Sequence, residues 1–205
     1  MLSLALIILF SLGLSHKGLD IPDLISDEGF KCYIENGFDF TVFRGYRSLG
    51  DVDPNACSNL KKASQYGFKT DVYFFPCVPK GNPAKQIDDM ITGLQGCPYS
   101  RIFLDIEEWA WTTKDANREF ITILIDTLIQ KTGRCDIYTN KYEWNIIVGS
   151  DFTYGSKCSL WYPHWDNMQT FNDFISFSGW TSSVMKQYSA LNDICGYKTD
   201  LDFYP

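Results

Sequence analysis

Apolar and polar positions along this chain follow two alternating rhythms. Short runs rich in β-branched and aromatic residues recur at 18–21, 40–46, 70–75, 101–107, 136–139, 160–165, 184–188 and 201–204, each with the length and composition of a strand. Between the first five lie stretches of helical character. Asp53-Pro54 and Asn82-Pro83 each set a capping side chain ahead of a proline suited to a first helical turn, and Gly67 and Gly133 are natural stops. The clearest helix is 114–131, where Phe120, Ile121, Leu124, Ile125 and Leu128 form one apolar face. Beyond the fifth strand the rhythm thins. Residues 141–149 make a short helix, 166–179 are polar and aromatic without a period, and the last three strands follow one another through loops.

Strands alternating with helices imply parallel pairing through right-handed crossovers, hence an α/β fold. Eight strands with about five helices predict a modified TIM-like barrel, of the form (β/α)5(β)3, worn down in its final third. A doubly wound open sheet is the alternative, but no Gly-x-Gly-x-x-Gly turn follows the first strand. With 205 residues and no linker or repeat, one domain is expected over 16–205, acting as a monomer.

Composition then places the chain. Residues 1–14 are uncharged and apolar, too short to span a membrane and of a length suited to a cleaved signal peptide, expected at 1–15. No stable membrane insertion is expected once it is removed. Seven cysteines without a Cys-x-x-Cys pair indicate disulfides, three bridges at most with one thiol left over and no connectivity assigned. The net charge of −7, with no basic run longer than Lys61-Lys62, excludes a nucleic-acid partner, which needs a cationic stripe. It also opposes tight capture of an anionic polymer at neutral pH. That repulsion fades as pH falls toward the isoelectric point of about 4.8. Secretion, or the lumen of an acidic digestive vacuole, is therefore the expected location.

Candidate chemistry concentrates in Arg101-Ile-Phe-Leu-Asp-Ile-Glu-Glu-Trp109. Residues two apart in a strand face the same way, roughly 6.5–7 Å apart along the backbone, so Asp105 and Glu107 share a face while Glu108 turns away. Acids at the C-terminal end of a barrel strand stand where such barrels build active sites. Close like charges raise the proton affinity of one member, which creates an acid able to protonate a leaving oxygen. Glu107, outermost and near Trp109, is the better donor candidate. A lone Asp-x-Glu reads more readily as an ordinary acidic strand end making salt bridges. Asp20 at the first strand and Asp200 and Asp202 at the last alter that balance, because those strands are neighbours in a closed barrel. Tyr73, Tyr138, Trp161 and Tyr188 are candidates for stacking on sugar rings, with core packing the competing role for each. Arg44 is either a substrate contact or half of a structural ion pair. His16 and His164 have no partner pattern, so no metal and no cofactor is expected.

These features together resemble the family-25 glycoside hydrolases, lysozymes of the Chalaropsis type. The resemblance rests on Gly-Leu-Asp-Ile at 18–21, Asp-Ile-Glu at 105–107, Ile-Tyr-Thr-Asn at 137–140, Leu-Trp at 160–161, Lys-Gln-Tyr at 186–188 and Asp-Leu-Asp-Phe at 200–203. It covers nearly the whole chain after residue 15, and the added cysteines resemble the protist and nematode branch. It implies an eight-stranded barrel with five helices that cuts the β-1,4 bond between N-acetylmuramic acid and N-acetylglucosamine of bacterial peptidoglycan, in digestion or defence. Glu107 would be the general acid, Asp105 would orient the substrate's participating N-acetyl group, and Asp20 and Asp200 match the two further site acids. The third strand, Tyr73-Phe-Phe-Pro-Cys77, lacks the histidine that many relatives carry after the tyrosine, which leaves subsite preference open. The alternatives are a catalytically silent wall-binding barrel and a chitinase-like glycosidase. The latter's Asp-x-x-Asp-x-Asp-x-Glu run would need acids where Ser100 and Phe103 stand.

Overall fold

The computed structural model describes residues 15–205, so the signal peptide expected at 1–15 lies, but for Ser15, outside the described residues. In chain order the elements are β1 (His16–Ile21), α1 (Asp27–Glu35), β2 (Phe40–Arg47), β3 (Asp51–Val52), α2 (Ala56–Gln65), β4 (Lys69–Phe74), α3 (Pro83–Gly93), β5 (Ile102–Asp105), α4 (Lys114–Thr132), β6 (Asp136–Tyr138), α5 (Lys141–Ile147), β7 (Ser159–Pro163), β8 (Met185–Ile194) and β9 (Tyr197–Tyr204). The sheet order is β1-β9-β8-β7-β6-β5-β4-β2-β3, and β1 also pairs with β2. Eight strands thus close into a barrel, with β3 a short flap on the outer end of β2. Five helices accompany it, as the alternating pattern predicted.

Alternation within each strand sorts the core into two. Leu19, Phe43, Val72, Leu104 and Ile137 point outward and pack with the helices in the larger cluster. Phe40, Val42, Phe103, Tyr138, Trp161 and Met185 point inward and fill the barrel as a plug rather than leaving a pore. Gly18 belongs to this plug. A Cβ there would stand 2.2 Å from the Phe40 ring, so only glycine admits that side chain at the barrel axis.

Several expectations are corrected by local geometry. The strand expected at 101–107 is β5, which ends at Asp105, and Glu107 stands in the bend that follows. Asp53 does not cap α2. Its Oδ1 accepts from the Asn55 N–H at 2.9 Å in a local turn, and the helix starts at Ala56 without a side-chain cap. Asn82, by contrast, caps α3 from a left-handed conformation with Pro83 as the first helical residue. Gly67 and Gly133 both have positive φ where α2 and α4 end, as expected of helix stops. The last strand runs antiparallel to both its neighbours. It returns in a hairpin from β8, and no crossover is needed.

Three disulfides tie helices and loops to this frame: Cys32–Cys195, Cys57–Cys97 and Cys135–Cys158. Cys77 is the leftover thiol, buried after β4. No helix among the described residues is long and apolar enough to cross a membrane.

Candidate active site

The inward-facing positions change character toward the C-terminal ends of the parallel strands. Below lie Phe103, Phe40 and Met185. Above them Asp20, Asp105, Glu107, Gln187 and Asp200 surround an open cavity of about 400 Å³. The reversal of β9 explains Asp200. In a parallel strand an acid so early would sit at the barrel floor, whereas in antiparallel register Asp200 lies opposite Asp20 at the mouth.

Asp105 is the last residue of β5 and is buried. Its Oδ1 has no hydrogen-bond partner among the described residues. Burial, followed by the charges of Glu107, Asp20 and Glu143, holds its proton affinity well above that of an ordinary aspartate. Glu107 follows in the bend, half-buried and facing the same cavity. The bend is pinned on both sides. Ile106 N–H donates to the Tyr138 carbonyl at 2.9 Å, the Trp111 indole donates to the Glu107 carbonyl at 2.7 Å, and Glu108 N–H donates to the Glu143 carboxylate at 2.8 Å. Glu107 therefore needs no strand to hold its direction. Burial first, then the charges of Glu143 and Asp200, raise its pKa to about 6.

The other acids are braced by donors. Asp20 accepts from Gln187 Nε2 at 2.8 Å, but burial and the Asp200 charge raise its pKa to about 7. Asp200 accepts from the Leu191 N–H at 2.6 Å, and burial outweighs that bond to raise its proton affinity. Asp202 sits beneath the cavity, fully buried. The Trp161 indole donates to its Oδ1 at 2.9 Å, while its Oδ2 has no partner among the described residues. Burial and the neighbouring Asp20 push its proton affinity well up. Acids this close and this dry cannot all be ionised together, so the site holds protons at pH values where a surface carboxyl has lost them.

Arg44 lines the cavity while its Nε donates to Asp53 Oδ2 at 2.6 Å, the structural ion pair among its two candidate roles. Tyr73, Tyr138 and Trp161 also line the cavity, and all three pack within the inner plug. Tyr188 is not brought there. It occupies the outward face of β8 and accepts from Gln169 Nε2 at 3.0 Å. The inward residue is its neighbour Gln187, which sequence reasoning passed over. Gln187 accepts from the Tyr138 hydroxyl at 2.9 Å and from the Trp165 indole at 2.8 Å, while its amide nitrogen faces Asp20 and Asp200. All four contacts agree on one orientation of the amide. Strand parity was the available signal, since Met185 and Gln187 share a face. Trp165 and Glu143 were also missed. Trp165 lies beyond the end of β7, largely exposed over the cavity, and Glu143 lies in the first turn of α5.

His16 stands at the opposite end of the barrel, hydrogen-bonded to Asp39. His164, Asp166 and Asp173 form the one cluster among the described residues with spacing suited to a metal. The buried Lys186 ammonium already occupies its centre, 2.8 Å from Asp166 and 2.9 Å from Asp173. That cluster anchors the loop after β7 through the Lys186 ion pairs.

Comparison with known proteins gives one consistent result. The family described as Lysozyme-like protein 1 matches residues 14–188. "Probable GH family 25 lysozyme 2" of Dictyostelium discoideum is 37% identical over 193 residues, covering 92% of this chain and 91% of that protein. "Probable GH family 25 lysozyme 4" of the same organism is 35% identical, covering 100% and 98%. Among solved structures, the bacterial lysozyme from Streptomyces coelicolor superposes with a TM-score of 0.77 at 20% identity, over 92% of this chain and 91% of that one.

Proposed function

The chain belongs to glycoside hydrolase family 25, and from that premise we propose that it is a muramidase working through Asp105 and Glu107 on the β-1,4 bond between N-acetylmuramic acid and N-acetylglucosamine in bacterial peptidoglycan. One observation carries the assignment of roles. Asp105 presents a buried oxygen with no hydrogen-bond partner among the described residues, next to a half-exposed Glu107 of raised proton affinity in the same cavity.

Burial and the neighbouring charges raise the proton affinity of both Asp105 and Glu107, so the coupled pair holds a proton between them. A substrate acetamido N–H donated to Asp105 satisfies the orphaned oxygen and favours its ionised form. The shared proton then resides on Glu107, where it is delivered to the leaving glycosidic oxygen. The acetamido carbonyl oxygen attacks the anomeric carbon as that bond breaks. Water opens the resulting ring with Glu107 as base, and configuration is retained. Asp20 and Asp200 complete the acidic wall, while Tyr73, Tyr138, Trp161 and Arg44 contact the sugars.

The same reading places residues 1–15 as a signal peptide and 16–205 as the catalytic domain, active as a monomer outside the cytosol. Three disulfides support an oxidising compartment. An acidic vacuole or secretion in digestion or defence fits a site that must be protonated to work. Glu107→Gln and Asp105→Asn should each reduce reducing-end release from purified peptidoglycan by a factor of about 10³ or more while the melting temperature does not fall. Wild-type rates in either variant would overturn the assignment.

A further inference from the structure

We propose that a second pocket beside the catalytic cavity binds the peptide branches of the wall polymer, so that the enzyme prefers glycan that still carries its peptides; this rests on the muramidase reading above. The pocket measures about 320 Å³ and opens between the loop after β6 and the loop after β7. Its walls are apolar: Tyr142, Tyr162, Phe174, Ile175 and Phe177. Tyr142 and Ile175 are 66% and 69% exposed, so two large apolar side chains stand in water at one mouth. Filling the pocket would remove that cost.

The pocket lies beside the cavity, with a third hollow between the two. A smaller hollow bounded by Glu107, Tyr138 and Trp165, which also line the cavity, shares Asn140, Pro163 and His164 with the apolar pocket. A branch of a strand lying across Glu107 could therefore reach it through that hollow. The chemistry of the two hollows differs. The cavity offers carboxyls, an amide and aromatic faces, as a sugar requires. The side pocket offers apolar walls and few polar groups, which suit alanine methyls better than sugar hydroxyls.

Its polar groups select further. Asn140 uses its Oδ1 to cap α5 at the Glu143 N–H, and its Nδ2 is unpaired among the described residues, which leaves a donor for a peptide carbonyl. Lys141 lines the rim, exposed, with no ion pair among the described residues. The acid on the other side, Asp173, is already engaged by Lys186 and His164. A short branch with small apolar side chains and a free carboxylate matches this arrangement, and a further neutral sugar does not.

Two measurements test this. In the first, reducing-end release is followed on intact peptidoglycan and on the same material stripped of peptide by an amidase. The wild type should show kcat/KM about tenfold higher on the intact polymer. Ile175→Asp, at an exposed position that the fold does not need, should bring the two within about twofold by losing rate only on the intact polymer. In the second, the Glu107→Gln protein is titrated with N-acetylmuramoyl-alanyl-glutamate and with N-acetylmuramic acid. The peptide-bearing probe should bind about tenfold tighter, with the advantage falling in Ile175→Asp and, at low salt, in Lys141→Ala. Equal rates on the two polymers, or equal or undetectable binding of the two probes, overturns the proposal. A protein that binds the peptide probe selectively without cutting either polymer would retain this pocket and sink the muramidase reading. Equal cutting of both polymers does the reverse.

Discussion

The role of a carboxyl here is decided by what surrounds it within a few ångströms. Glu143 contributes the largest charge effect on Glu107, and it also caps the Glu108 N–H. Glu143→Gln keeps an acceptor for that N–H and removes only the charge. Because a like charge raises proton affinity, its loss lowers the Glu107 pKa. The alkaline limb of kcat/KM should therefore move to lower pH, by roughly half a unit to one unit. An unmoved limb would show that Glu107 is not the titrating acid. Gln187 makes a second case. Gln187→Glu keeps the acceptor for Tyr138 and Trp165 but turns a like charge toward Asp20 and Asp200, and Gln187→Leu removes both functions. Each should lower kcat about tenfold or more with KM within about threefold, the signature of misplaced acids. A change confined to KM would instead make Gln187 a substrate contact. These residues also show what was legible. Asp105, Glu107 and Asp20 were readable because each is a charged group at or just past the end of a strand, where local pattern is informative, whereas Asp200 lies inside β9 and was readable only through the resemblance. Gln187 was not, because an amide inside a strand carries no such mark until the register of β8 against β9 is known. Tyr188 drew attention as an aromatic, but its parity turns it away from the cavity.

Elements were legible where periodicity is strong and ambiguous where tertiary pairing decides. The alternating pattern located the barrel strands and α4, and the count of eight strands and five helices holds. The direction of β9 was not written in its own residues, since a strand's hydrophobic pattern is the same whichever way it runs. Its reversal follows from the short return after β8, and the Cys32–Cys195 bridge fastens that hairpin turn to α1. Sequence separation ranks the three bridges: 163 residues for this one, against 40 for Cys57–Cys97 and 23 for Cys135–Cys158. On the chain-entropy account, losing the longest loop costs roughly 5 kcal/mol and losing the shortest roughly 3 kcal/mol. Urea unfolding of the three paired Cys→Ser variants should follow that order. The reverse order would mean that local packing around each bridge, rather than loop closure, sets its contribution.

At the scale of the molecule, the site's chemistry opposes its stability. Asp20 and Glu107 have pKa values raised to about 7 and about 6, and Asp71, half-buried near the barrel floor, is raised to about 6. Asp105 and Asp202 are raised in the same direction by burial. A group whose folded pKa exceeds its unfolded value contributes stability fully below about pH 4 and loses it as pH rises through the folded value. Asp173, held down to about 2, mainly by the Lys186 and His164 hydrogen bonds against its burial, acts oppositely and loses its contribution only as pH falls below about 4. Stability should therefore peak near pH 4–5 and decline through pH 6–7. General repulsion from a net charge of −7 acts in the same direction, and salt separates the two causes. At about 0.5 M salt, surface charges are screened within a few ångströms while buried carboxyls are not. The melting temperature at pH 8 should thus stay well below that at pH 5 even in high salt, and Asp20→Asn or Asp105→Asn should recover part of the difference. Full recovery by salt alone would assign the loss to the surface. Persistence of the gap in both variants would mean that these acids are not the ones charging in the folded state. The pH range in which the protein is most stable coincides with the range in which Glu107 carries its proton, because both follow from the same raised proton affinities of the site acids.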